Sequence, residues 1–248
     1  MIYDDTNIEG RNPVAEAFRS GRTVDKLFVQ KGLTDGPVNT IIRMAKKADT
    51  IIKYVPKELL DKMSGTGKHQ GVIAQCAAYR YSTVEEILEN AASRNEDPFV
   101  ILLDGIEDPH NLGAIIRTAN VSGAHGVIIT KNRSAGITPV AAKSSAGAVA
   151  FTPVARVTNL TNTIEYLKEK GLWIACADMD GTSLYETDLK GPLGLVIGFE
   201  GKGVSRLVRE HSDMVVSIPM KGDIDSLNAS VAAGVISYEI YRQRYAGN

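Results

Sequence analysis

An apolar run leads directly into a glycine-rich turn at Leu195-Val196-Ile197-Gly198-Phe199-Glu200-Gly201-Lys202-Gly203-Val204-Ser205. The run is too short for a helix and is typical of a strand buried on both faces of a parallel sheet. Three glycines around one carboxylate allow the backbone to pass close to a ligand, with Glu200 held at the strand end. The glycines lack the GxGxxG spacing of a dinucleotide site, and a plain turn after a strand is the alternative interpretation.

Strands and helices alternate along the chain before and after this turn. Further short apolar runs predict buried strands at residues 99–103, 127–129, 172–175 and 215–218,. Between the first two, apolar residues recur at helical spacing and stop before Gly123,. The alternation predicts an α/β fold, with a mostly parallel sheet covered by helices on both faces. Ligands of such sheets bind beyond the carboxyl ends of the strands, so the loops there are the candidate sites.

A polar loop follows the first of these strands and leads into a helix at Leu103-Asp104-Gly105-Ile106-Glu107-Asp108-Pro109-His110-Asn111-Leu112-Gly113-Ala114-Ile115-Ile116-Arg117. Asn111 has the side chain of an N-cap residue, and we expect it to begin the helix. Arg117 falls among apolar residues inside the helix, where its charge calls for a partner. The alternative is an arginine whose stem packs along the helix edge while its head group reaches water.

Another candidate loop follows the last predicted strand, at Ile218-Pro219-Met220-Lys221-Gly222-Asp223-Ile224-Asp225-Ser226-Leu227-Asn228-Ala229-Ser230. Either Ser226 or Asn228 is expected to cap the helix that follows. Pro219 and Met220 place apolar surface beside exposed backbone groups, which can hold an adenine ring; a plain capped helix is the alternative. One apolar face is predicted for this final helix from residues at helical spacing, namely Leu227, Val231, Val235, Tyr238 and Tyr241,.

The first third of the chain predicts a separate, small α/β domain. It has helical patterns at residues 13–18 and 41–48, and strand patterns at 27–29, 51–55 and 72–76,. Residues 1–80 contain 13 of the 28 Lys and Arg residues but only 9 of the 29 Asp and Glu residues, so this part of the chain is basic. The remaining residues contain 15 Lys and Arg against 20 Asp and Glu and are acidic. A polar stretch that ends at Pro98 then predicts domains at 1–78 and 98–248, joined by a linker at 79–97.

A basic, glycine-rich loop interrupts the front domain at Met63-Ser64-Gly65-Thr66-Gly67-Lys68-His69-Gln70-Gly71. It is not a P-loop, because the glycine that should precede Gly67 with four residues between them is missing, as is the hydroxyl residue after Lys68. The loop is interpreted either as a flexible connection or as a contact for an RNA phosphate.

The sequence lacks the motifs of several classes of protein, which makes those functions less favoured. Cys76 and Cys176 stand far apart without a CxxC, so neither a disulfide framework nor a zinc knuckle is predicted,. No HExxH, GxSxG or Walker A motif is present, and no cluster has the spacing of metal ligands. The chain has neither a signal-peptide pattern nor an apolar run near the ~18 residues of a membrane span. We therefore expect a cytoplasmic protein with no metal and no membrane partner.

Together, the three loops resemble the three motifs of the SpoU/TrmH family of RNA ribose methyltransferases, in the SPOUT superfamily. Order, spacing and residues all match. Residues 8–14 and 69–72 are similar to the substrate-binding domain that many members carry in front. The resemblance is greatest to members that methylate the 2'-oxygen of a guanosine in the peptidyl-transferase region of 23S rRNA.

The resemblance implies S-adenosylmethionine as cofactor, 23S rRNA as partner, a homodimer, and a C-terminal SPOUT parallel-sheet domain with a trefoil knot. The small N-terminal α/β domain would bind RNA. By the same resemblance, the residues around the cofactor are Thr130, Gly198, Ile218, Met220 and Leu227. The catalytic set consists of an essential arginine near the target ribose, two polar partners and a pair from the third motif: Arg117, Asn111, Glu200, Ser226 and Asn228.

Two other functions stay open. A non-catalytic RNA-binding or ribosome-associated protein could retain the fold, although the intact motif residues speak against it. A tRNA-directed or antibiotic-resistance methyltransferase of the same family is the other alternative. The sequence separates these targets weakly, because base selection depends on RNA shape and on single-stranded presentation of the target.

Overall fold

The computed structural model describes residues 7–199, 201, 203–224 and 226–245. The chain divides into two compact units, Met1–Arg80 and Tyr81–Asn248. The division falls inside the stretch 79–97 that the sequence assigned to a linker. Each unit has its own β-sheet and its own hydrophobic core.

The first unit is a four-stranded mixed sheet with helices packed against it. Its elements are β1 (Asn7–Glu9), α1 (Arg11–Arg19), β2 (Val24–Gln30), α2 (Gly36–Lys47), β3 (Ile51–Val55), α3 (Lys57–Met63) and β4 (Val72–Cys76). The strand order is β1-β4-β2-β3, in which only β2 and β3 are parallel. The main core joins α1 and α2 to the sheet through residues such as Val14, Leu27 and Ile41. All five elements predicted here are present, while β1 and α3 were not predicted.

The two front stretches that carry the family resemblance contact each other. The Arg11 side chain donates to the carbonyl oxygen of Gln70 at 3.3 Å and to Asp35 Oδ2 at 2.6 Å. Asp35 also caps α2, because its Oδ1 accepts the N–H of Val38 at 3.1 Å,. Arg11 therefore ties the loop before β4 to the start of α2.

The glycine-rich loop at residues 63–71 is anchored by Glu9. The Glu9 carboxylate accepts the N–H groups of Gly65 at 2.8 Å and Thr66 at 3.2 Å, and it also binds both nearby hydroxyls. The hydroxyl of Ser64 makes the largest contribution to the lowering of the Glu9 pKa that these bonds cause,. The N–H groups of Gly65 and Thr66 are therefore directed at the Glu9 carboxylate, while the two interpretations of the loop stay predictions.

The second unit is a six-stranded, all-parallel sheet with the strand order β10-β8-β9-β5-β6-β7. Its helices are α4 (Val84–Ser93), α5 (Pro109–Val121), α6 (Pro139–Ser144), α7 (Leu160–Glu169), α8 (Arg206–His211) and α9 (Ala229–Tyr245). Its strands are β5 (Phe99–Asp104), β6 (Gly126–Thr130), β7 (Val154–Val157), β8 (Trp173–Ser183), β9 (Leu193–Gly198) and β10 (Met214–Ser217). The sheet confirms the prediction of buried parallel strands.

Helix α4 lies within the stretch 79–97 and packs into the second unit. Thr83 and Glu86 form a capping box at its start, with reciprocal bonds of 3.1 and 3.0 Å,. Val84 and Ile87 are buried in the same core cluster as the sheet residues Val100 and Leu102. The helix thus contributes to the core of the second unit.

Two predictions about helix ends are wrong. Asp108, and not Asn111, caps α5: its Oδ1 accepts the N–H of His110 at 2.8 Å, and Pro109 occupies the first helical position,. Helix α9 begins at Ala229, so Leu227 precedes it.

The apolar face predicted for α9 is not its core face. Residues Val231, Tyr238 and Tyr241 are each at least 41 % exposed, whereas Ala233 and Ile236 on another face are fully buried. Within the described residues, no helix has the length and apolar character needed to cross a membrane.

Candidate functional site

The turn after β9 folds back over the end of its own strand. The N–H of Phe199 donates to the carbonyl oxygen of Gly203 at 3.0 Å, and the Gly203 N–H donates to the Phe199 carbonyl at 2.9 Å. A Cβ on Gly198 would lie 2.2 Å from the carbonyl carbon of Gly203, so a side chain there would collide with backbone,. The N–H of Ser205 donates to Asp104 Oδ2 at 2.7 Å and ties the turn to β5.

Asn228 joins the last helix to the first polar loop. Its Oδ1 accepts the N–H groups of Ser230 at 2.9 Å and Val231 at 3.3 Å, so Asn228, and not Ser226, caps α9,. Its Nδ2 donates to Oδ1 of Asn111 at 3.1 Å. Asn111 is buried in the first turn of α5. One side chain therefore caps a helix and links the first motif to the third.

A cavity of about 550 Å³ is lined by the turns that follow β9 and β10, by the middle of β8 and by the first half of α9. Its walls are largely apolar, as at Ile197, Val216 and Ile236. The volume lies within the roughly 300–1,000 Å³ of small-molecule sites. Among the predicted site residues, the structure brings five to this cavity: Gly198, Ile218, Met220, Ser226 and Leu227. Glu200 lies outside the described residues.

Four predicted residues do not line this cavity: Thr130, Asn111, Arg117 and Asn228. Thr130 ends β6, where its hydroxyl donates to the carbonyl oxygen of Asn132 at 2.8 Å. Asn111 is linked to the cavity loops through Asn228. Arg117 is exposed on α5, about 9 Å further along the helix axis than Asn111,. No residue in the described part of the chain forms an ion pair with Arg117.

The charged side chain in the described lining of the cavity is that of Asp178 on β8. Arg209 on α8 donates to Asp178 at 2.9 Å and to both carboxylate oxygens of Asp180 at 2.7 and 2.9 Å. These hydrogen bonds lower the pKa of Asp180 and raise the pKa of Arg209,. Asp178 was not predicted as a site residue, although an apolar strand followed by Asp178-Met179-Asp180-Gly181 has the same character as the other candidate loops.

Within the described residues, no group of three His, Cys, Asp or Glu side chains is arranged to hold a metal ion. The described site therefore consists of backbone turns, apolar walls, two linked asparagines and one carboxylate. Such a site can bind a small organic ligand and orient its polar groups without a described metal ligand set.

Comparison with known proteins identifies the family. Residues 98–238 match the model of the SpoU rRNA Methylase family, and residues 7–82 match that of RNA 2'-O ribose methyltransferase substrate binding. The chain is 48% identical, over 95% of its length and 94% of the relative's, to YacO of Bacillus subtilis, which is assigned to the TrmH family of tRNA/rRNA methyltransferases.

Solved structures give the same result. The SpoU methyltransferase AviRb from Streptomyces viridochromogenes, in complex with AdoMet, matches with a TM-score of 0.62 and 27% identity over 97% of this chain and 91% of that chain. The TrmH/SpoU tRNA modifying enzyme of A. aeolicus matches with a TM-score of 0.56 and 28% identity over 64% of this chain and 85% of that chain. The motifs, the fold and these likenesses agree, and the chain belongs to the SpoU/TrmH family of RNA methyltransferases.

Proposed function

We propose that the protein transfers a methyl group from S-adenosylmethionine to a ribose 2'-oxygen of RNA, and that the target is a guanosine in the peptidyl-transferase region of 23S rRNA. The observation that carries the proposal is the cavity between the turns of the second and third motifs, together with the Asn111–Asn228 bond that links the third motif to the first. The relatives support methylation of tRNA or rRNA, and the finer target rests on the sequence resemblance.

The residues of the cavity fit the methyl donor. Ile218, Met220 and Leu227 offer an apolar surface beside backbone groups for the adenine ring. Gly198 lets the backbone of the following turn approach the strand end, so that a ligand there meets main-chain groups instead of a side chain,. When bound, S-adenosylmethionine supplies an electrophilic methyl group on a sulfonium. Thr130 remains a proposed contact from strand β6, which β5 separates from β9.

Arg117 is proposed to bind the RNA beside the target ribose. Its guanidinium is exposed on α5, so it is accessible to a phosphate, which it can bind through two parallel hydrogen bonds,. Because a guanidinium stays protonated, Arg117 cannot itself take the proton of the 2'-hydroxyl. It clamps the target phosphate and orients the hydroxyl, and that phosphate or a neighbouring group assists deprotonation. Glu200 and Ser226 are proposed to complete the polar surroundings of the reacting groups.

The first unit is proposed to bind the RNA substrate. Its sequence matches the substrate-binding model over residues 7–82, and it holds more basic than acidic residues, 13 against 9. Phosphate binding by a basic surface contributes affinity without sequence specificity. The first unit thus supplies affinity, and the second unit supplies the chemistry.

A homodimer is proposed from the exposed face of α9. Tyr238, Tyr241 and Tyr245 form a continuous aromatic row, with ring centroids 6.0 and 5.1 Å apart. Val231 continues the row toward the start of the helix and is 49 % exposed. A contiguous apolar surface of this kind is typical of an interface. A second copy of the chain, as the sequence resemblance implies, would cover it.

A trefoil knot is proposed for the second unit. Support comes from the strand order, because β9 lies between β8 and β5, and β10 returns to the outer side of β8. Stretching a single molecule from its two ends tests the knot. A knotted chain reaches a shorter final length than 248 residues allow,.

The proposed activity is tested in two steps. Calorimetric titration should show that the protein binds S-adenosylmethionine, and absence of binding would favour the non-catalytic RNA-binding alternative. Mapping of 2'-O-methylated nucleotides in rRNA and tRNA from a deletion strain then names the target. Loss of one modified guanosine in 23S rRNA is the expected result, whereas a loss in tRNA would establish the tRNA-directed alternative, which the likeness to a tRNA modifying enzyme supports.

A further inference from the structure

Asp178 places a carboxylate on the wall of the cavity, and the structure holds that carboxylate in one orientation. Its side chain is 19 % exposed. The N–H of Met179 donates to its Oδ1 at 2.8 Å, and Arg209 donates to its Oδ2 at 2.9 Å. Gly203 lies against it, since a Cβ on that glycine would be 3.6 Å from either carboxylate oxygen. The carboxylate therefore lies beside the turn that follows β9.

Arg209 does not neutralise this carboxylate, because it also binds Asp180. Its two terminal nitrogens reach the two oxygens of Asp180 at 2.7 and 2.9 Å. Asp180 is 67 % exposed and does not line the cavity. One guanidinium thus faces two carboxylates, and the three groups together carry one net negative charge, with Asp178 as the member that lines the cavity.

We infer that Asp178 makes the cavity select a cationic ligand over a neutral ligand of the same shape, and in particular S-adenosylmethionine over S-adenosylhomocysteine. The inference rests on the proposed function. During transfer, the bond from sulfur to the methyl carbon breaks and leaves its electron pair on sulfur. The ribose oxygen forms the new bond to that carbon, and its proton passes to an acceptor. The sulfur thereby loses its positive charge, while the rest of the ligand keeps its shape.

The physical cause of the selection is Coulomb attraction in a partly dehydrated site. A single charge pair there changes affinity by on the order of tenfold or more. The amino, carboxylate and ribose groups are the same in both ligands, so their contacts cancel when the two affinities are compared. Asp178 is accordingly a specificity-determining residue, and its charge favours departure of the spent product over departure of the methyl donor.

The experiment compares two ligands on three full-length proteins by calorimetry. The ligands are S-adenosylmethionine and S-adenosylhomocysteine, and the proteins are the unsubstituted chain, Asp178→Asn and Asp180→Asn. Asp178→Asn keeps the shape of the side chain and an oxygen for the Met179 N–H, but removes the charge. Asp180→Asn is the matched control, because it weakens the same Arg209 cluster outside the cavity. The readout is the ratio of the two dissociation constants, which general damage to the cavity would leave unchanged.

In Asp178→Asn we expect the preference for S-adenosylmethionine to fall by about tenfold, with a change of less than threefold in Asp180→Asn. Product inhibition in the methylation assay should strengthen in the same variant. An unchanged ratio in Asp178→Asn, with both ligands still bound, overturns the inference and leaves the proposed function standing. Absence of binding of either ligand to the unsubstituted chain removes the proposed function and the inference with it.

Discussion

Asn228 and Asn111 are joined by a hydrogen bond of 3.1 Å between the Nδ2 of one and the Oδ1 of the other, across 117 positions of sequence. The bond connects the start of α9 to the start of α5. The Oδ1 of Asn228 caps α9, while its Nδ2 links α9 to Asn111. The two tasks can be separated by substitution.

Asn228→Ser should retain the cap and lose the link. A serine hydroxyl can accept the N–H groups at the helix start, but it is too short to reach Asn111. We expect thermal stability close to that of the unsubstituted chain, with methyl transfer reduced at least tenfold. Asn228→Ala should lose the link and also about 1 kcal/mol of stability from the missing cap. Thermal unfolding and a radiolabelled methyl-transfer assay measure the two effects, and full activity in Asn228→Ser would show that the link is dispensable.

Arg117→Lys tests the proposed phosphate clamp. Lysine keeps the charge but cannot form two parallel hydrogen bonds to a phosphate. Since misplaced reacting groups slow a reaction by roughly 100-fold, kcat should fall by about that factor. Affinity for S-adenosylmethionine should stay the same, because Arg117 does not line the cavity. Near-normal turnover in this variant would contradict the clamp.

Gly198→Ala should damage the cavity through its backbone. The added carbon would lie 2.2 Å from the carbonyl carbon of Gly203, so the turn must shift. We expect a loss of about 1–3 kcal/mol in the free energy of unfolding and at least a tenfold loss of affinity for S-adenosylmethionine. Gly222→Ala is the matched control: Gly222 lines the same cavity, and its Cβ would meet nothing within 4 Å. Equal effects of the two substitutions would refute the collision.

The anchored loop of the first unit should lose stability in acid. The folded-state pKa of Glu9 is lowered from 4.5 by its hydrogen bonds to Ser64, Gly65 and Thr66. A lowered pKa means that Glu9 stabilises the fold above about pH 4.5, and that this contribution disappears as the pH falls through the lowered value.

Hydrogen exchange of the Gly65 and Thr66 amides measures the effect directly. In the unsubstituted chain, protection of these amides should decrease between pH 5 and pH 3 after correction for intrinsic exchange. Glu9→Gln should show low protection throughout, whereas Glu16→Gln, at an exposed position on α1, should behave like the unsubstituted chain. Strong protection in Glu9→Gln would rule out the carboxylate as the anchor.

Charge on the aromatic row of α9 should separate the proposed dimer. A glutamate at Tyr238 or Tyr241 would have to be buried without a partner in an interface, at a cost of several kcal/mol. Light scattering coupled to size-exclusion chromatography should report a dimer for the unsubstituted chain and a monomer for Tyr241→Glu. Tyr54→Glu alters another exposed tyrosine, in the first unit, and should stay dimeric. A monomeric unsubstituted chain would contradict the proposed assembly.

The strands of both sheets could be predicted where apolar side chains form an unbroken run, as at residues 99–103 and 195–197. Strand β7 was missed because Arg156 interrupts the apolar residues of Val154–Val157. A charged residue at that position indicates an exposed segment, whereas the Arg156 guanidinium stacks over the ring of Tyr81. The length of β8 was underestimated, because the apolar run ends at the middle of the strand and polar residues continue it to Ser183.

The three loops of the site could be predicted because each of them directly follows a strand that is recognisable in the sequence. What links the motifs could not be read from the sequence, since Asn111 and Asn228 are related only through the folded chain. The exposure of the apolar face of α9 could not be predicted for a related reason: helical spacing of apolar residues does not distinguish a face buried in the core from an exposed one. Asp108 caps α5 in place of Asn111 because Pro109, directly after Asp108, is favoured at the first position of a helix,.

The position of β9 between β5 and β8 has a consequence for synthesis of the protein. Strands β5 to β8 leave the ribosome first, yet none of them can complete the sheet without β9, which spans Leu193–Gly198. The walls of the cavity then need the first half of α9 as well. A nascent chain that ends before about residue 236 therefore lacks the cavity wall that α9 supplies, so the cavity proposed for the methyl donor forms only after the first half of α9 has been synthesised.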